Sequence, residues 1–281
     1  MEANQQPPPD TTNATPGLVG VSFMFAMALI AYGFRMRTRI SPLFKLTATD
    51  HLISSALLCE VFVLVCLLTA IGYGLGRYDY YISATTLIKI NKCLFLLGLF
   101  GFWASSLARV SIGYMLLRFE ISKTWRMVLW ILIFTQFAMA IGSDVFQLLQ
   151  CRPIRAMWET VPDAVCWTAQ ISRSYGNGHS KRSSIRYYPI SVLMGFGTVA
   201  AVAGAMKVYH IDAYDPRKDV LRDWMPLLWW YRVEEIGLII AACTPFLKPS
   251  IERLLARLGA LPFRFVTIGL NLFALITEIK Q

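Results

Sequence analysis

Long apolar runs alternate with short polar stretches along almost the whole chain. A helix that crosses about 30 Å of hydrocarbon needs about 20 mostly apolar residues, because no water in the membrane core can satisfy an exposed backbone. Five runs meet that demand: Gly17 to Phe34, His51 to Tyr73, Cys93 to Leu117, Met127 to Leu149 and Tyr188 to Tyr209. A sixth, Trp224 to Leu247, is more polar but long enough, and Gly259 to Thr277 is a weaker candidate interrupted by Pro262 and Arg264. Any one of these fits a buried soluble helix, but six in one chain leave too little polar sequence to cover such a core. The pattern predicts an all-α polytopic membrane protein of six to seven transmembrane helices.

Composition agrees: of 281 residues, 56% are hydrophobic and only 16% charged, which argues against a soluble enzyme. The charges also set sidedness. The N-terminal tail carries Glu2 and Asp10 but no Lys or Arg, whereas Arg35, Arg37 and Arg39 follow the first run. Basic residues stay in the cytoplasm, so the Arg35 to Lys45 loop is internal and residues 1–16, with Pro7, Pro8 and Pro9, form an external tail expected to be disordered. The same charge order argues against a cleaved signal peptide. Asn13-Ala14-Thr15 is a glycosylation sequon on the extracellular side.

Continued alternation puts Gly74 to Lys92 outside, the Arg118 to Arg126 turn inside and Cys151 outside. Two anomalies follow. The basic stretch Arg173 to Arg186 belongs in the cytoplasm by charge although no clear span separates it from Cys151, and a six-span count places Lys248, Arg253 and Arg257 outside. One additional crossing between Trp167 and Arg173 would cure both.

Several pieces occur in a recognisable order. Asp50 opens the second helix with Thr49 before it; Gly72-Tyr73-Gly74-Leu75-Gly76-Arg77 follows; the third helix carries Arg109, Ser111 and Leu117-Arg118-Phe119. Gln150-Cys151-Arg152-Pro153 then precedes Trp158 and Cys166, and the last span holds Trp229, Glu234, Cys243, Pro245, Leu247 and Pro249. In this order the chain resembles the fungal rhodopsin-like domain family, seven-span receptor-like membrane proteins, over about Arg35 to Arg257. It departs from the pattern at Thr49, where an acidic residue is usual, at Arg109, where Lys is usual, and after Cys166, where the fifth helix is missing and only Trp167 to Ser172 remains. The domain reading is therefore an external tail (1–16), a transmembrane domain (17–257) and an atypical C-terminal segment (258–281) that is a candidate for membrane association.

Cys151 and Cys166 share an external loop, where a disulfide closing about 15 residues stabilises by roughly 3 kcal/mol. Cys93, at the outer end of the third helix, competes for that pairing. Cys59, Cys66 and Cys243 read as small hydrophobes. Glu60, Arg109 and Glu234 fall at about 14, 12 and 15 Å from the presumed inner ends of their spans, at about 1.5 Å per residue. Charges that deep are costly unless paired, so Arg109 is expected to contact Glu60 or Glu234. Arg232 and Glu235, one turn apart, are positioned to pair and leave Glu234 free. Asp50 and Asp144 read as interfacial caps, and most tryptophans, Trp103 and Trp229 among them, as a membrane-interface belt.

No catalytic constellation, Walker motif or nucleophile elbow is present, and His51, His179 and His210 stand too far apart for a metal site. The expectation is not an enzyme, and no cofactor: a retinal Schiff base needs a lysine within the last helix, and Lys248 falls just past Leu247. The net charge of +10 sits at bilayer edges, so anionic lipids at basic loops, not nucleic acid, are the expected partners. The Ser172 to Arg186 stretch reads as a solvated linker with candidate phosphorylation sites. The resemblance implies a receptor-like sensor, in the plasma membrane, of an unknown extracellular ligand, with a cytoplasmic signalling partner. The alternatives are a small transporter or proton-coupled permease, and a truncated product lacking one helix.

Overall fold

The computed structural model describes residues 11–40, 46–118, 122–159, 161–166, 206 and 220–257. Its long helices are α1 (Thr15–Ile40), α2 (Ala48–Gly72), α3 (Ala84–Leu116) and α4 (Lys123–Leu149). A two-stranded antiparallel pair, β1 (Cys151–Arg152) and β2 (Val165–Cys166), follows, then a short α5 (Val220–Asp223) and the long α6 (Met225–Arg257). Helices α1 to α4 are long and apolar enough to cross a membrane. Helix α6 matches them in length but carries Arg232, Glu234 and Glu235. The fifth predicted run apart from residue 206, the Trp167 to Ser172 remnant, the basic stretch Arg173 to Arg186 and the Gly259 to Thr277 candidate lie outside the described residues.

Local sequence explains the helix ends. The Asp50 carboxylate accepts the backbone N–H of Thr47 at 2.9 Å and its hydroxyl at 2.6 Å, closing the first turn of α2. At the other end of α2 the N–H groups of Leu75 and Gly74 donate back to the carbonyls of Ala70 and Ile71, with Gly74 at φ 105°. That bond pattern needs a residue in the left-handed region, which glycine adopts without a Cβ clash, and it turns Leu75 into the core. Helix α3 opens on Ser83, whose hydroxyl accepts the N–H of Thr86.

Helix α2 packs along α3, α1 along α6, and α6 also against α3, while α4 meets the other described helices through α3. The core has two layers. One joins Val63, Leu67, Ala70 and Leu75 to Ile90, Leu97, Met225 and Leu228; the other joins Ala28 and Ala31 to Ile53, Ala56, Ala108, Ile236, Ile239 and Cys243. Outward, Phe23, Leu58, Ile131 and Phe134 are more than half exposed. Apolar side chains displayed all along the helix exteriors are what a lipid solvent demands.

The contacts fix the direction of each helix. Asn13 at the start of α1, the turn after α2, and Arg222 and Met225 at the start of α6 meet at one end. Arg35, Asp50 and Ala242 meet toward the other. Helix α6 therefore runs parallel to α1, starting at the end that holds Asn13, which the charge rule assigns to the outside and which is hence the outer end. This corrects one premise of the sequence reading and agrees with the additional crossing it offered. Trp224 marks the outer end of the last span, not the inner one, and Lys248, Arg253 and Arg257 follow on the side of Arg37 and Arg39, where the charge rule wants them. A small epitope inserted after Arg257 is expected to be reached from the same side of the membrane as one inserted after Pro42; opposite sides would overturn this direction.

Two boundaries also move. Helix α1 continues through Arg35 to Ile40, so Arg35 is not in a loop but 1% exposed inside the bundle. Helix α6 continues past Leu247 to Arg257, which places Lys248 within it. At about 1.5 Å per residue, Lys248 lies about 9 Å beyond Ala242, on the inner side of the Arg35 contact and away from the bundle centre.

Candidate functional site

Charged side chains in hydrocarbon need partners, and the described helices supply them across every interface of α6. At mid-depth Arg232 faces two carboxylates at once. Its Nη1 lies 3.2 and 3.3 Å from the two oxygens of Glu60 on α2, and its Nη2 pairs with Glu235 one turn along α6. Glu60 is fully buried and Arg232 nearly so. Arg109 on α3 pairs with Glu234 on α6. Of the three residues expected to cluster, Arg109 and Glu234 thus meet directly, whereas Glu60 is held by Arg232. Glu235 pairs with Arg232 as its spacing implied, but Glu234 is not left free.

Space for this network comes from α3. A Cβ at Gly101 would lie 2.9 Å from Arg232 Nη2 and 3.3 Å from a Glu235 carboxylate oxygen. Gly101→Leu is therefore expected to push Arg232 off its partners and cost about 1–3 kcal/mol of stability in a thermal unfolding measurement. Gly237→Ala on α6, with nothing within 4 Å of the added carbon, is the neutral control.

A second charged centre closes the inner half. Arg35 donates from Nε and Nη2 to one oxygen of Asp50, at 2.9 and 2.8 Å, and from Nη1 to the carbonyl of Ala242 on α6 at 2.7 Å. Arg39 stands 3.5 Å from the other Asp50 oxygen. Asp50 is more than the cap read from sequence: one carboxylate closes the first turn of α2 and anchors α1 and, through Arg35, α6. Beside it the Ser111 hydroxyl donates to the Thr49 carbonyl, tying α3 to α2.

Asp144 also exceeds a cap, because the Trp103 indole N–H donates to it at 2.6 Å and joins α3 to α4. The Gln147 amide donates to the Phe95 carbonyl across the same interface. Trp229, read as part of an interfacial belt, packs its indole onto Gly17 with no room for a Cβ there. Cys151 and Cys166 form a disulfide directly opposite each other in the β1–β2 pair, while Cys93 is a free thiol. Trp158 of that loop lies edge-on to Phe95 and under the Lys92 ammonium, which seats the loop on the outer end of α3. Replacing both cysteines by serine is expected to lower stability by about 3 kcal/mol in denaturant unfolding. Asn13 is exposed immediately before α1, its backbone N–H bonded to Gly76. Among the described residues no group of three His, Cys, Asp or Glu side chains is placed to hold a metal ion.

A family model described as the fungal rhodopsin domain matches residues 34–178, just over half of the chain. The chain belongs to the fungal rhodopsin domain family. Neither the curated proteins nor the solved structures contain a match. The matched stretch of this fungal rhodopsin domain begins beside Arg35 and contains Asp50, Glu60, Gly101, Arg109 and the disulfide. Their partners Arg232, Glu234, Glu235 and Ala242 lie beyond it, on α6. The charged ties thus join the matched helices to a helix that the match leaves out.

The network was only half visible in the sequence. Depth arithmetic picks out Glu60, Arg109 and Glu234, but it cannot tell which of two arginines a carboxylate meets. Arg35 escaped because it opens a run of basic residues that looks like a cytoplasmic loop; its signal was the lone acid, Asp50, opening the next helix.

Proposed function

We propose that this fungal rhodopsin domain protein is a receptor-like membrane sensor without retinal, built on six or seven spans, that passes an extracellular cue to the cytoplasm through α6. The observation that carries the reading is the set of charged ties on α6: to α2 and α3 at mid-depth and to α1 nearer the inner end. A helix held by a few directional ion pairs has discrete alternative arrangements, as a two-state transmitting element requires. The plasma membrane and a cytoplasmic partner at the inner end of α6 complete the reading, with anionic lipids at the basic loops.

The test uses spin labels at Arg37→Cys and Arg253→Cys, on the inner ends of α1 and α6. Arg109→Met, which removes the tie to Glu234, is expected to shift their distance distribution in lipid nanodiscs. An unchanged distribution would mean that the mid-depth pair does not control the inner end. The depth of Glu60, Arg109 and Glu234 favours a second reading, a small transporter or proton-coupled permease. Solute uptake that survives Glu60→Gln and Glu234→Gln counts against it.

A further inference from the structure

The tail expected to be disordered is not uniform. Residues 1–10 lie outside the described residues, but Thr11–Ala14 are seated on the outer mouth of the bundle. Ala14 is 1% exposed although it precedes α1, and it belongs to the same apolar cluster as Leu75, Leu221, Met225 and Leu228. Its methyl group occupies space that a side chain at residue 76 would claim: a Cβ on Gly76 would stand 3.3 Å from the Ala14 Cβ and 3.4 Å from Met225. Two backbone contacts flank this seat. The Asn13 N–H donates to the Gly76 carbonyl at 3.2 Å, and Arg222 Nη1 donates to the Thr11 carbonyl at 3.0 Å. The Arg222 guanidinium is itself set 4.2 Å above the Tyr78 ring.

This is how a groove reads a peptide: main-chain bonds for affinity, one pocket for a small side chain, and an exposed neighbour, Asn13, while the Thr12 hydroxyl accepts the Ala14 N–H at 3.3 Å and bends the segment into its seat. Open clefts lie on both flanks. One of about 250 Å³ runs between Thr12 to Leu18 and the turn after α2; another of about 370 Å³ is lined by Asn13, Pro16, Pro226, Trp230 and Val233. The segment is thus gripped at few points and not walled in.

We propose that the extracellular mouth is a peptide-accepting groove whose resident occupant is the chain's own Thr11–Ala14 segment. A short peptide that takes the same bend, with a small residue at the Ala14 position, is the class of ligand that would compete for it. The inference concerns occupancy of the mouth and stands whether or not the bundle signals.

The full chain in nanodiscs tests it, by amide hydrogen exchange read at single residues. The Asn13 amide is expected to exchange at least about tenfold more slowly than that of Thr12. The capped hexapeptide acetyl-Thr-Thr-Asn-Ala-Thr-Pro-amide, copied from residues 11–16, is expected to reduce that protection. Millimolar peptide is needed, because a tethered segment competes at about millimolar effective concentration. Arg222→Ala, which removes the contact to the Thr11 carbonyl, is expected to lower the Asn13 protection in the absence of peptide. Equal exchange of Asn13 and Thr12 in the natural chain would overturn the seat, and protection that the peptide does not reduce would overturn the groove.

Discussion

Arg232→Met is expected to destabilise the bundle by about 3–5 kcal/mol, because it strands two buried carboxylates that now share one guanidinium. Glu60 has no exposed surface and Glu235 almost none, so neither can turn to water for compensation. The size of the loss reflects the charges left behind more than the worth of the contacts themselves. Replacing the trio together, as Glu60→Gln, Arg232→Met and Glu235→Gln, is therefore expected to recover most of it. Thermal unfolding in nanodiscs separates the outcomes. A single variant as damaging as the triple would show that the trio contributes attraction and not merely mutual neutralisation. Arg232→Lys is expected to fall between, since a single ammonium does not present the two forked nitrogens that reach α2 and α6 at once.

Asp50→Ala is expected to cost a similar 3–5 kcal/mol, for a different combination of reasons. It leaves Arg35 buried without its carboxylate, and it also opens the first turn of α2, an effect of about 1 kcal/mol in capped helices. Asp50→Asn separates the two contributions: the amide oxygen can still accept the Thr47 N–H at 2.9 Å, but it gives Arg35 no charge. Denaturant unfolding of Asp50→Ala, Arg35→Met and the double variant gives the coupling between them. Additive losses would mean that the pair does not act as a unit.

Much of this architecture is legible in the sequence, because membrane solvent makes hydropathy a strong constraint. Four of the expected runs coincide with helices α1 to α4, and Cys151 of the Gln150 to Trp158 motif meets Cys166 as expected. The errors sit where charge enters a helix. Arg35, Arg37 and Arg39 look alike as letters, yet the first is inside the bundle because Asp50 and the Ala242 carbonyl neutralise it there. The last expected run ends at Leu247, yet α6 passes through Pro245 and Pro249 to Arg257. The direction of α6 was misread because counting crossings accumulates every omission, whereas a contact such as Gly17 on Trp229 fixes it at once.

The burial of the ion pairs also divides the molecule by its response to salt. Mobile ions screen charges they can surround, with a Debye length of about 8 Å at physiological ionic strength, but they do not enter hydrocarbon. Glu60, Arg232, Arg35 and Asp50 are all shielded from that atmosphere, so added salt should leave the joints of α6 intact. The basic residues at the inner rim, Arg37, Arg118, Lys123 and Arg126, have no such shelter, and the hold on anionic headgroups proposed for them should weaken steadily. Ionic strength thus becomes a dial that loosens the protein's grip on its membrane surface while its internal frame stays locked.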